Sequence, residues 1–271
     1  MLNAKISGIA SYLPDYVLTN DELSRMVDTN DEWITTRVGI KERRILKKEV
    51  GSSYMGIQAV KKLLEETGTN PDDVDLLICA TSNPDYRFPS TASVIAHGCG
   101  LEKKCYAYDI QAACAGFIVA SFDANAYIKS GLYKKVIVVC AEKMSSMVNY
   151  EDRATCPLFG DGAAAVLMEP TEEPVGFVDG VFHVDGSGLE HLVYKAGGSA
   201  HPTTHETVDA KENCLYQEGR AVYKSAVMDM FNSSKEVMER NNLKIEDVKW
   251  FVPHLSLIHI SEPPRDAHES R

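Results

Sequence analysis

Three observations in the sequence predict an α/β fold. Leu76-Leu77-Ile78-Cys79-Ala80, Val136-Ile137-Val138-Val139 and Ala163-Ala164-Ala165-Val166-Leu167 are short runs, apolar on both faces, and read as buried strands. Helical patterns alternate with these runs. One unit, a helical stripe followed by an Asp-Val turn and an apolar run, occurs twice, which points to a duplicated architecture. At 271 residues the chain has room for one large domain or two modest ones, each with its own core.

The elements follow in order. Ile57, Val60, Leu63 and Leu64 form the first stripe, and Asn70-Pro71-Asp72-Asp73-Val74 turns the chain into the Leu76 strand. Tyr106-Ala107-Tyr108-Asp109-Ile110 is strand-like. The stretch from Ala112 to about Lys129 begins with small apolar residues and predicts a helix buried in the core. Phe159-Gly160-Asp161-Gly162-Ala163 lacks the third glycine of a dinucleotide fingerprint and leads into a strand, so it reads as a tight turn. Asp185-Gly186-Ser187-Gly188 is turn chemistry as well. In the second copy Tyr223, Ala226, Val227, Met230, Phe231, Val237 and Met238 form the stripe, and Trp250-Phe251-Val252 the strand. The expected division is 1–171, a partial second half over 172–254, and a tail over 255–271. The tail carries Pro263-Pro264 and no sustained period, which predicts disorder. Its first residues resemble translated adapter sequence, and the tail is expected to be non-native.

Composition narrows the function. No apolar run approaches the ~20 residues of a membrane helix, and the start does not resemble a signal peptide, so a cytoplasmic protein is expected. Seven cysteines, odd in number, scattered and without a CxxC pair, argue against a disulfide framework or a zinc site. A net charge of −11 opposes nucleic acid and anionic membranes. Lys41, Arg43, Arg44, Lys47 and Lys48 cluster against that trend. They read as a solvated loop face, with a landing surface for an acidic partner or a phosphate-bearing substrate as the alternative.

Cys114 sits among alanines and a glycine at the expected start of a helix, where unpaired N–H groups and the helix dipole favour thiolate. Spacing alone favours the plainer reading, another small core residue. His254 follows the expected strand Trp250–Val252, at the end where α/β folds hold ligands, and a surface-loop histidine is an equal reading. A cysteine and a histidine far apart in sequence suit a thiol nucleophile with an imidazole partner. Asp31-Glu32-Trp33-Ile34-Thr35-Thr36-Arg37 combines an aromatic face with a guanidinium, suited to stacking and phosphate contact or to ordinary capping.

Taken in order, Asp31-Glu32-Trp33-Ile34, Arg37-Val38-Gly39-Ile40, Phe88-Pro89-Ser90, Ala112-Ala113-Cys114-Ala115-Gly116-Phe117, Asp152-Arg153, Phe159-Gly160-Asp161-Gly162-Ala163 and Val252-Pro253-His254 resemble the landmarks of the ketoacyl-acyl-carrier-protein synthase III family. The resemblance covers residues 1–254. It implies a thiolase-like fold of duplicated αβαβα layers, with the second half incomplete here. It implies an acyltransferase that starts fatty-acid synthesis, in which Cys114 takes an acetyl or other short acyl group from coenzyme A. His254 would stabilise the enolate formed when malonyl-acyl carrier protein loses CO2, and that carbanion attacks the acyl-cysteine. Trp33 and Arg153 match positions flanking the coenzyme A adenine, and Arg37 one near its phosphates. Phe88 matches a residue that reaches across a homodimer to shape the acyl pocket, near Gln217 and Gly219. No metal or resident cofactor is implied, since the coenzyme A thioester is a substrate. Where the family continues with Gln-Ala-Asn, this chain has Leu255-Ser256-Leu257, and a later Gly-Asn-Thr turn has no counterpart. The chain is therefore expected to be C-terminally truncated and inactive as it stands. A cysteine-dependent acyl-coenzyme A hydrolase, a thiolase-fold acyltransferase with an unusual acyl group and a non-catalytic binding protein are the rival readings.

Overall fold

The structure is a computed structural model that describes residues 3–254. The expected non-native tail, 255–271, lies outside the described residues. In chain order the elements are β1 (Asn3–Tyr12), β2 (Tyr16–Thr19), α1 (Asn20–Leu23), α2 (Asp31–Val38), β3 (Glu42–Ile45), α3 (Ser52–Thr67), β4 (Leu76–Ala80) and α4 (Thr91–Gly98). They continue with β5 (Tyr106–Ile110), α5 (Gly116–Lys129), β6 (Val136–Lys143), β7 (Asp161–Thr171), β8 (Leu192–Tyr194), α6 (His205–Asp209), β9 (Leu215–Gln217) and α7 (Gly219–Arg240). The chain forms two compact units. Among the described residues the first comprises 3–17, Arg44–Ser146 and Gly160–Val178, and the second Leu18–Arg43, Met147–Phe159 and 179–254.

The first unit is built on a five-stranded sheet in the order β1-β7-β6-β4-β5. β4 lies parallel to β5 and β6, whereas β7 runs antiparallel to β6 and β1. Alternation along the strands explains why β4 and the first part of β6 are apolar at every position. Leu77, Cys79, Ile137, Val139 and Leu167 pack in one cluster with Met55, Val60 and Leu63 of α3 and Ile95 of α4. Their neighbours Leu76, Ile78, Val136, Val138 and Met168 pack in another with Ala120, Ala124 and Ile128 of α5. The predicted strands at 76, 106, 136 and 163 all form.

The helix after Cys114 departs from expectation. It is one-faced: α5 buries Gly116, Ala120, Ala124 and Ile128, while Phe117, Ile118 and Phe122 are exposed. Its small residues serve close approach to the sheet rather than burial all round. A Cβ on Gly116 would stand 2.9 Å from the Cβ of Ala80.

Two buried charged groups brace this unit. The Asp161 carboxylate accepts from Leu46 N–H (2.7 Å), Ser145 N–H (2.8 Å) and the Ser145 hydroxyl (2.6 Å). The Lys143 ammonium donates to the carbonyls of Lys47 (2.6 Å), Lys48 (3.0 Å) and Val50 (2.5 Å).

In the second unit α2 begins where the Asn30 side chain accepts from Trp33 N–H, and ends at Gly39 with φ 72°. The second stripe forms α7, but no residue along it is buried, and Tyr223, Val227 and Phe231 are exposed. Trp250-Phe251-Val252 is irregular rather than a strand, with Val252 88% exposed. A strand needs a hydrogen-bonded neighbour, and no described strand pairs with this segment. The basic cluster is not one surface either. Lys41, Lys47 and Lys48 are exposed, but Arg43 is buried and bonded inside the second unit.

Candidate active site

In the first unit β5 ends at Ile110, and the chain turns sharply through a single 3-10 turn, Ala113–Ala115, into α5. Ala113 has φ 44°, a conformation that L-residues adopt at a cost of about 1–2 kcal/mol. That bend puts Cys114 at the top of the parallel strands and directly before the helix. No side chain caps the α5 N-terminus. Around Cys114, Ala115 N–H donates to the Ala112 carbonyl at 3.0 Å and Gly116 N–H to the Ala113 carbonyl.

Cys114 is exposed, as are Phe117 and Ile118, so it is not the small core residue that spacing alone favours. Protein still surrounds the sulfur enough for desolvation to dominate its acidity. Desolvation and the Glu142 carboxylate push the thiol pKa up, against its own backbone N–H, which lowers it. The dipole argument for a depressed thiol is therefore corrected: desolvation outweighs the hydrogen bond. Glu142 was not singled out in the sequence because it lies in β6 beyond its apolar run and belongs to no motif. Burial raises its own carboxyl pKa, while Ser82 N–H donates to it at 2.6 Å. Cys99, Cys105, Cys140 and Cys156 are pushed up to about 11, chiefly by burial. The rate of iodoacetamide labelling at Cys114, followed peptide by peptide with pH, is expected to have its midpoint above that of a free cysteine. Glu142→Gln removes a neighbouring negative charge and is expected to move that midpoint down; an unchanged midpoint would refute the electrostatic account.

The second unit brings three expected residues together. Arg37 stacks over the Trp33 ring at 4.6 Å from its centroid, and Arg153 at 5.4 Å. Arg153 also pairs with Asp28 at 3.5 Å. Asn30, Glu32, Trp33, Thr36 and Arg37 line an open hollow of about 470 Å³. An aromatic face beside two guanidiniums suits a flat, anionic, heteroaromatic ligand. Gln217 ends β9, Gly219 starts α7, and His254 lies exposed past the irregular segment, all in the second unit. Phe88 belongs to the first and is 87% exposed.

Comparison with known proteins identifies the family. Residues 108–186, which include Cys114, match the family model for 3-oxoacyl-[acyl-carrier-protein (ACP)] synthase III. The chain is 55% identical to beta-ketoacyl-[acyl-carrier-protein] synthase III 2 of Bacteroides thetaiotaomicron, over 96% of this chain and 78% of that protein. It is 54% identical to the Porphyromonas gingivalis beta-ketoacyl-[acyl-carrier-protein] synthase III, over 96% and 77%. Among solved structures, the 3-oxoacyl-[acyl-carrier-protein] synthase III of Aquifex aeolicus matches with a TM-score of 0.80 at 42% identity, over 90% of this chain and 74% of that one. The synthase III of Thermus thermophilus matches with a TM-score of 0.83 at 37% identity, over 93% and 76%. The mixed α/β fold is thus thiolase-like. With that identity over more than three quarters of the length of its Bacteroides and Porphyromonas relatives, the chain belongs to the beta-ketoacyl-[acyl-carrier-protein] synthase III family, the condensing acyltransferases that initiate fatty-acid synthesis.

Proposed function

We propose that Cys114 accepts a short acyl group, acetyl in the simplest case, from coenzyme A and passes it to the carbanion of malonyl-acyl carrier protein. The Cys114 thiol attacks the thioester carbonyl through its sulfur, giving up its proton as the S–C bond forms, and coenzyme A takes up that proton and leaves as its thiol. Decarboxylation of the malonyl group releases CO2 and generates an enolate, which His254 stabilises by hydrogen bonding. The enolate carbon attacks the acyl-cysteine carbonyl and expels the Cys114 thiolate. No resident cofactor takes part. The observation that carries this reading is Cys114 in a strained turn at the end of β5, ahead of an uncapped helix and inside the segment matched to the family.

Trp33 and Arg153 would hold the adenine of coenzyme A and Arg37 its phosphates. Their mutual stacking supports this assignment. The high exposure of Phe88 is in keeping with a side chain offered to a second copy across a homodimer, where it shapes the acyl pocket with Gln217 and Gly219. We also read 1–171 and 172–254 as unequal halves. α3, the Pro71–Asp73 turn and β4 have a partial counterpart in α7 and the Ile245–Asp247 turn. Among the described residues no helix is long and apolar enough to cross a membrane, and we place the protein in the cytoplasm.

The test is incubation of the protein at its relatives' full length, of which this chain covers 78%, with acetyl-coenzyme A, with and without malonyl-acyl carrier protein. We expect a 3-oxoacyl-carrier protein together with CO2 and free coenzyme A, and only when the malonyl partner is present. Free acetate released without that partner would instead make the protein a hydrolase.

A further inference from the structure

Arg43 belongs to the cluster that the sequence pattern assigned to a solvated face, yet it is only 5% exposed. Its Nη1 donates to the Leu18 carbonyl at 3.1 Å. Its Nη2 donates to Asn20 Oδ1 at 2.7 Å and to the Pro157 carbonyl at 3.2 Å, while Nε is buried without a partner. No carboxylate pairs directly with it among the described residues. An apolar side chain of similar volume would often serve such a site at equal or lower free energy. Packing alone therefore does not account for the charge.

What the guanidinium connects does account for it. Asn20, itself 2% exposed, passes the contact on through Nδ2, which donates to Asp31 Oδ1 and to the Ile40 carbonyl, each at 2.8 Å. Asp31 lies in the first turn of α2, and Ile40 follows the Gly39 cap that closes it. Both ends of the helix carrying Trp33 and Arg37 are thereby tied to Arg43 through one amide. On the other side, Pro157 lies four residues beyond Arg153, directly after a turn closed by Cys156 N–H donating to the Asp152 carbonyl at 3.0 Å. Asp152 fastens that turn further by accepting from Ala154 N–H and the Thr155 hydroxyl. One buried cation thus joins the two chain segments that present Trp33 and Arg153.

We propose that Arg43, acting through Asn20 and Asp31, is the positioning residue of the nucleotide clamp and fixes the spacing between Trp33 and Arg153. The inference rests on the reading of Trp33, Arg37 and Arg153 as the coenzyme A face. Lysine cannot replace Arg43, since one ammonium on a flexible stem does not reach three acceptors in a planar fork.

The test compares two acyl donors, acetyl-coenzyme A and acetyl-pantetheine, which carries the same thioester without the nucleotide. Acylation of Cys114 is followed by mass spectrometry in the full chain and in the Arg43→Lys, Asp31→Ala and Trp33→Ala variants. With acetyl-coenzyme A, Arg43→Lys is expected to raise the half-saturating concentration roughly tenfold at an unchanged maximal rate, and Asp31→Ala severalfold. With acetyl-pantetheine both variants are expected to match wild type. Equal loss with both donors would mean that Arg43 only maintains the fold, and no loss with either would remove its role altogether; each overturns the proposal. If Arg43→Lys does not fold, the outcome with Asp31→Ala, at the exposed end of the chain of bonds, decides. Trp33→Ala separates the two levels of the argument. If it lowers use of acetyl-coenzyme A while the other two variants do not, the clamp stands and the role of Arg43 fails. If Trp33→Ala has no effect, the clamp falls and the proposal with it.

Discussion

Replacement of Cys114 by alanine is expected to leave the protein folded and to abolish the acyl adduct that wild type forms with acetyl-coenzyme A. Cys114 is exposed and its side chain fills no part of either core cluster, so stability should change by less than about 0.5 kcal/mol. The chemical loss is of another order. Removing a nucleophile leaves only the catalysis that binding and backbone donors supply, and the rate of acyl transfer should fall on the order of 10⁴-fold or more. Intact-mass analysis reads this directly, and digestion assigns the adduct to one peptide. Burial of the other thiols favours a clean result, since Cys99, Cys140 and Cys156 at about 11 hold little thiolate near neutrality. An acetyl group that persists on the alanine variant would show that another residue is the acceptor.

The second large effect concerns stability. Asp161→Ala is expected to destabilise the first unit by roughly 3–5 kcal/mol, read as a drop in melting temperature or denaturant midpoint. The carboxylate is 5% exposed and serves the backbone N–H groups of Leu46 and Ser145 as well as the Ser145 hydroxyl. Alanine leaves all three donors without an acceptor, two of them on the main chain, where they cannot turn elsewhere. Asp161→Asn keeps one acceptor oxygen and should lose less than alanine. A variant that melts with wild type would mean that water replaces the carboxylate at no loss.

The sequence was legible where local pattern and global packing agree. β4 carries buried side chains on both faces, and its apolar run coincides with the strand from Leu76 to Ala80. Cys114 was legible as a candidate only once the order of several motifs raised it above its neighbours, because a thiol among alanines has no signature of its own. Trp250–Val252 was misread because a strand is a property of pairs. Three apolar residues without a neighbour to bond stay irregular. α5 was misread because small residues signal close approach, not immersion, and its phenylalanines lie on the far side. Arg43 was placed in a surface cluster, whereas the acceptors that draw it inward, Leu18, Asn20 and Pro157, are 23 to 114 positions away. No window of sequence contains that information.

Lys143 carries a consequence for how the first unit responds to its medium. Three carbonyls converging on one point form the kind of oxygen cage that in other settings recruits potassium or sodium from solution. Here the charge is covalently attached to β6 and held against the loop that leads into α3. The anchor is therefore always loaded: chelators find nothing to extract, and exchanging one alkali chloride for another leaves that loop fastened as before.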